Sequence, residues 1–292
     1  MSSDGKIDRR DVLKLIAAAP VAIGAAKKEA RVNQPALFIS HGSPMMALED
    51  DAFTAALESF SAKLEKPRAI VVISAHFQSR GGVAVLSNEH PSLVYDFGGF
   101  PEALYQVQYP APGSPLVAAR IVALLEGAGI EAVTESKRGL DHGAWVPLHR
   151  MFPKAEIPVV EVSLPMPVTP AELLAIGRAL APLRSDGVLL IGSGNATHNL
   201  RIVDFADKQA KPHDWALQFD GWLKQRLAAF DVKAIADWRR NAPHAGLAHP
   251  TSEHFDPLLV VLGSCGEMKA AVDTIFEGFH YGTLSMRSVA LR

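Results

Sequence analysis

Cysteine is nearly missing from this chain: Cys265 is the only one in 292 residues. A lone thiol cannot form an internal disulfide, and it excludes a thiolate zinc cluster. Basic runs are missing too. Lys plus Arg number 29 against 31 for Asp plus Glu, a net charge of −2, so no nucleic-acid partner is expected. The uncharged stretch 15–26 is interrupted by Pro20 and Gly24 and falls short of the ~20 apolar residues that cross a bilayer. No stable membrane insertion of the mature domain is expected. HExxH, CxxC, GxSxG, P-loop and GxGxxG patterns are all absent from the sequence, which removes the short signatures of zincins, redox dithiols, serine hydrolases and nucleotide binders. Gly192-Ser193-Gly194 suggests a phosphate nest, but no P-loop Lys or Ser/Thr follows it.

What is present is a core and an excess of imidazole. Hydrophobic residues make up 48% of the chain, and eleven residues are histidine. That apolar share over this length supports a large folded core. Residues 1–34 read differently. Arg9-Arg10 precede Asp11-Val12-Leu13-Lys14, then the Ala-rich stretch, then Gly24-Ala25-Ala26. This is the order of an export signal, and RRDVLK resembles a twin-arginine leader, with Asp8 where Ser or Thr is usual. The expectation is a leader over 1–34, a catalytic domain over 35–292, and a periplasmic location. If the N-terminus is not a signal, the location is cytoplasmic.

Beyond residue 34, strand-like and helix-like segments alternate. Short or continuous apolar runs predict strands at 36–40, 69–75, 83–86, 131–134, 159–164, 188–191 and 283–291, the last of them antiparallel. Helical spacing predicts helices at 47–64, 115–128, 171–183, 214–230 and 253–262. The segment between, YDFGGFPEALYQVQYPAPG, predicts a long ordered loop with a short helix. No repeat or linker divides the chain. The pattern is α/β: a single domain with a central mixed β-sheet flanked by helices on both faces.

The histidines fall where such a fold binds ligands, outside the carboxyl ends of strands. His41 follows the first strand and His76 the second. His142 and His198 follow later strands at some distance. His254 is expected at a helix start, with Thr251 or Ser252 as N-cap, where the helix dipole keeps an imidazole neutral and able to bind metal. His41 and His76 together point to a metal site. His90, His149, His213, His244, His249 and His280 are read as structural or surface groups.

Taken together, PALFISHGSP, AIVVISAHF, YDFGGFPEALYQVQYPAPGSP, LDHGAWVPL, GSGNATHNLR, EHFDPLLVVLG and GTLSMRSV resemble the class III extradiol ring-cleavage dioxygenases, most closely their 4,5-DOPA dioxygenase branch. The blocks run in family order from about residue 35 to the C-terminus. The resemblance implies one α/β domain and a non-haem Fe(II) site that opens a catechol ring with O2. It implies His41, His76 and His254 as metal ligands, with Glu253 beside the last. His198 would take a substrate proton and approach the metal as a fourth ligand before substrate binds. His142 would donate a proton. Zn(II) is expected in purified protein, because imidazoles suit zinc and zinc outcompetes Fe(II) in affinity. Trp145, Tyr95, Phe97 and Tyr109 are expected to wall an aromatic pocket, and Arg201 to meet a substrate carboxylate. Two rivals use the same histidines: a zinc hydrolase, and a non-catalytic exported metal-binding protein.

Overall fold

The structure, a computed structural model, describes residues 33–266 and 270–292. The expected leader lies outside the described residues up to residue 32. One eight-stranded sheet organises the rest, in the order β4-β3-β5-β2-β6-β1-β10-β7. Its strands are β1 (Ala36–Ser40), β2 (Ala69–Arg80), β3 (Val83–Leu86), β4 (Ala132–Glu135), β5 (Val159–Met166), β6 (Val188–Gly194), β7 (Val272–Phe276) and β10 (Ser288–Leu291). Between the last two, β8 (Phe279–His280) and β9 (Leu284–Ser285) form a separate two-stranded pair. The centre is parallel: β5, β2, β6 and β1 all run the same way. Pairings of β3 with β5, and of β10 with β1 and β7, are antiparallel, so the sheet is mixed, as expected.

The longer helices are α1 (Ala52–Ser61), α2 (Pro115–Gly127), α3 (His142–Met151), α4 (Pro170–Leu180), α5 (Asp214–Ala229) and α6 (Asp256–Gly263). Strand alternation sends Phe38, Val71, Ile73 and Leu190 into one core, with α2, α4, α5 and α6. It sends Leu37, Ile39, Ile70, Val72 and Ile191 into the other, with α1 and α3. Successive strand residues point to opposite faces, so strands buried on both sides read as unbroken apolar runs.

Several boundaries differ from expectation, each for a local reason. The helix expected at 47–64 is a 3-10 turn over Pro44–Ala47 followed by α1. Asp51 interrupts it by accepting from the Thr54 amide as N-cap, completing a capping box. The expected 171–183 helix breaks into α4 and a short turn, Pro182–Ser185, because Pro182 brings no N–H to continue the first. Helix α3 was not among the expected helices. The strand expected at 283–291 is two pieces, β9 and β10. Between them the Arg287 guanidinium makes a two-pronged pair with buried Asp220, at 2.8 and 2.5 Å. Removing one partner of such a buried pair costs about 3–5 kcal/mol, so this turn is firmly tied to α5. None of the helices among the described residues is long and apolar enough to cross a membrane.

Candidate metal centre

His41 directly follows β1, and its backbone N–H donates to Gly194 O at the end of β6 (2.9 Å). Its ring Nδ1 meets Ser193 Oγ at 2.9 Å, and that hydroxyl donates to Gly143 O at 2.5 Å. The Gly143 carbonyl is available because Pro147, four residues along α3, has no N–H to offer it. With its own proton committed to Gly143, Ser193 can only accept from His41. The proton on His41 is therefore on Nδ1, and Nε2 is bare.

His76 is not past the end of its strand, as expected, but inside β2. The pairing of β2 with β5 slips between Ile73 and Gln78, and a bulge of this kind re-aims a side chain. The bulge brings His76 Nε2 to 3.1 Å from His41 Nε2. His142 opens α3, one residue after Asp141, whose carboxylate caps the helix by accepting from Ala144 N. Its ring centroid is 4.0 Å from that of His76 and 5.4 Å from that of His41.

His254 was expected on a helix. It lies instead in the turn before α6, and neither Thr251 nor Ser252 caps that helix; Ser252 Oγ donates to the Asp256 side chain. The helix-dipole argument for its neutral ring thus gives way to burial. The turn is pressed against the end of β6. A Cβ on Gly194 would lie 2.1 Å from His254 O, and Asn195 N donates to the same oxygen at 2.8 Å. Gly192-Ser193-Gly194 is therefore no phosphate nest but buried strand, with glycines that admit the neighbouring backbone. We expect Gly194→Ala to push His254 away, lowering metal affinity about 10-fold or more and stability by about 1–3 kcal/mol. Metal titration and denaturant unfolding measure both, and an unchanged affinity would refute this placement.

The ring of His254 lies 5.3 Å from that of His41 and 4.9 Å from that of His76, and these two are 5.0 Å apart. Glu253 Oε1 faces His254 Nδ1 at 3.2 Å, so Glu253 orients the ring rather than competing with it. His254 Nε2 is buried with no hydrogen-bond partner among the described residues. A bare buried nitrogen of this kind is costly unless something binds it. Two imidazole nitrogens on one ion at about 2.1 Å lie no more than about 4.2 Å apart, and the 3.1 Å between His41 and His76 falls inside that limit. The residues fit a metal. Donor atoms converge in two sets, His41 with His76 and His142, and His198 with Glu253 and His254.

Burial is the main reason these rings stay neutral. It drives His41 and His254 well below the usual histidine range, reinforced by the other imidazoles around them. It takes His76 to about 4, helped by His142 and opposed by Asp141, Asp96 and Glu253. His198 falls to about 3, through burial and then His249 and His76. His198 stacks on His254, with centroids 3.4 Å apart and planes 7° from parallel. Ligand lone pairs lie in the ring plane, and one ion cannot lie in two parallel planes. This stacking argues against His198 as a fourth ligand beside His254, and leaves it against the His254 ring.

Asp96 was missed in the sequence. Its Oδ1 accepts from both the ring Nδ1 and the backbone N–H of His142, at 2.8 and 3.1 Å. Burial pushes the Asp96 carboxyl up, but the His142 hydrogen bonds and the His142 and His76 charges outweigh it and hold it at about 2. Phe97 meets His142 edge-on at 5.7 Å and joins Tyr95 and Trp145 in one aromatic cluster. Trp145 is fully buried, with its indole N–H on Val94 O. Tyr109 does not belong to the wall: it packs on His149 near the other end of α3, about 10 Å along the helix from His142. At that far end a cavity of about 830 Å³ is lined by Leu64, His149, Met151, Phe152 and Ile157, and by none of the clustered histidines.

Residues 35–290 match the family model of the catalytic LigB subunit of aromatic ring-opening dioxygenase. This chain belongs to that family. It is 44% identical to a 4,5-DOPA dioxygenase extradiol of Beta vulgaris over 86% of this chain and 94% of that one. It is 41% identical to a protein of the same description from Escherichia coli K12, over 89% and 95%. A crystal structure of an uncharacterized E. coli K12 protein superposes with a TM-score of 0.76 at 36% identity, covering 89% of this chain and all of that one. The α/β single-domain fold and the dioxygenase class read from the sequence both stand. Neither the hydrolase nor the non-catalytic reading is favoured.

Proposed function

We propose that this protein opens the ring of a catechol, DOPA or a close relative, by extradiol cleavage with O2 at a ferrous centre held by His41, His76 and His254. The observation that carries the reading is the convergence of three neutral imidazoles, one with a buried nitrogen that has no hydrogen-bond partner among the described residues. His254 is preferred to His142 as the third ligand because its Nε2 is buried with no hydrogen-bond partner among the described residues. When bound, Fe(II) supplies an anchor for the two catechol oxygens and an open position for O2.

The chain's own groups do the rest. His198, neutral far below pH 7, takes a proton from the catechol hydroxyl. His142 holds Nδ1–H against Asp96, so the proton it can give toward the site is on Nε2. Phe97 stands near-perpendicular to the His142 ring, with centroids 5.7 Å apart. Arg201, in the loop after His198, meets the substrate carboxylate. The RRDVLK leader supports a periplasmic location, which cell fractionation checks.

Imidazole ligands hold zinc more tightly than Fe(II). Protein purified in air is therefore expected to carry zinc and to be inactive, and anaerobic reloading with Fe(II) is expected to restore oxygen uptake and yellow ring-opened products across a catechol panel. High activity in a fully zinc-loaded sample would overturn the redox mechanism. A hydrolase would consume no oxygen.

A further inference from the structure

We propose that Asp96 is a positioning residue shared by the metal centre and the proton donor, one carboxylate orienting His76 and His142 together. This rests on the site reading above. The two carboxylate oxygens divide between the rings: Oδ1 takes His142 Nδ1–H at 2.8 Å, and Oδ2 faces His76 Nδ1 at 3.7 Å. A carboxylate accepts and does not donate. Facing both Nδ1 atoms, it favours a proton on each, which leaves Nε2 of His76 bare and makes Nε2 of His142 the nitrogen that takes up and gives a proton on the site side. That is the tautomer a ligand needs at His76, and it places the transferable proton of His142 on the side of the substrate.

Among the described residues the two backbones are tied through Asp141, by Arg138 Nη2 on His76 O and Asp141 Oδ2 and by Ser74 Oγ between His76 N and Asp141 Oδ1, but Asp96 alone faces both rings. His76 stands in a strand bulge and His142 at a helix start, and no ladder bond fixes one against the other. The loop that carries Asp96 is itself held firmly. Val94 N donates to Leu140 O at 2.7 Å, Leu140 N to Ser92 O at 2.8 Å, and Trp145 Nε1 to Val94 O at 3.2 Å. On the other side, Tyr95 Oη donates to Val107 O at 2.8 Å. Asp96 therefore comes from a fixed support. Asparagine there would keep the shape but put an N–H before one of the two rings.

The test uses full-length Asp96→Asn and Asp96→Glu, stripped of metal and titrated with Co(II), whose visible bands report ligation without turnover. Loss of an outer partner of a ligand histidine typically costs about 10–100-fold in metal affinity or activity. Asp96→Asn is expected to lose that much Co(II) affinity and, once loaded with Fe(II), a similar factor in kcat on DOPA with KM little changed. Asp96→Glu, which keeps the carboxylate, is expected to recover much of both. Wild-type behaviour of Asp96→Asn in both measurements overturns the proposal. A loss of kcat alone also overturns it, because Asp96 would then serve only His142, and so does a folded Asp96→Glu that recovers neither. His41→Ala separates the two levels: if it binds Co(II) as tightly as wild type, the metal-centre reading itself falls.

Discussion

A His41→Ala protein is expected to fold, to leave anaerobic Fe(II) loading with almost no iron, and to show background oxygen uptake with any catechol. The ring it loses contributes the bare Nε2 that lies 3.1 Å from His76 Nε2. No other group among the described residues stands in that position with its proton so firmly placed elsewhere, through Ser193 on Gly143 O. The fold should survive because the links around the residue are backbone ones: residue 41 N–H to Gly194 O, and the β1 pairings with β6 and β10. Removing the ligand should cost more than the ~10–100-fold typical of an outer partner. Elemental analysis after gel filtration measures the iron. Near-stoichiometric iron in the variant would sink the assignment of His41.

His198→Ala should behave in the opposite way. Its ring is stacked on that of His254, and one ion cannot lie in both ring planes, so the variant is expected to keep its iron. A positioned acid or base typically contributes about 10²–10⁴-fold, and kcat should fall by that amount. The backbone N–H of residue 198 still reaches Ala248 O, and Asn195 and Thr197 still hold the loop through Gly42 N and Thr283 O. Steady-state oxygen uptake beside an iron assay separates the two effects. Ring cleavage at the full wild-type rate would remove His198 from the mechanism.

The parallel centre of the sheet was readable because strands buried on both faces are plain apolar runs, as in Ile70–Ile73 and Leu189–Ile191. The expectation that His41, His76, His142 and His198 gather near the strand ends came from the order of strands and turns, and the donors fall in two neighbouring sets, His41 with His76 and His142, and His198 with Glu253 and His254. Helix α3 was hidden by its own contents, since Gly143 and Pro147 in ten residues are read as breakers. The continuation of β2 through His76 was hidden by a bulge, which local pattern does not announce. Asp96 carried only a weak signal, one acid in an aromatic loop. What it does depends on where a separate helix begins, a tertiary fact. Gly194 suggested only a discounted phosphate nest, and its reason, the approach of His254 O, lies sixty residues away in the chain.

The proline within α3 carries a cost and a use at once. A helix interior gives up about 3 kcal/mol to a proline, and here that defect releases the one carbonyl on which Ser193 rests. Selection for a sturdier rod would favour an ordinary residue at position 147, and its amide would then compete for Gly143 O with the hydroxyl that keeps the first imidazole aimed. The chain thus forgoes rigidity in a supporting element so that a ring two elements away faces the right direction.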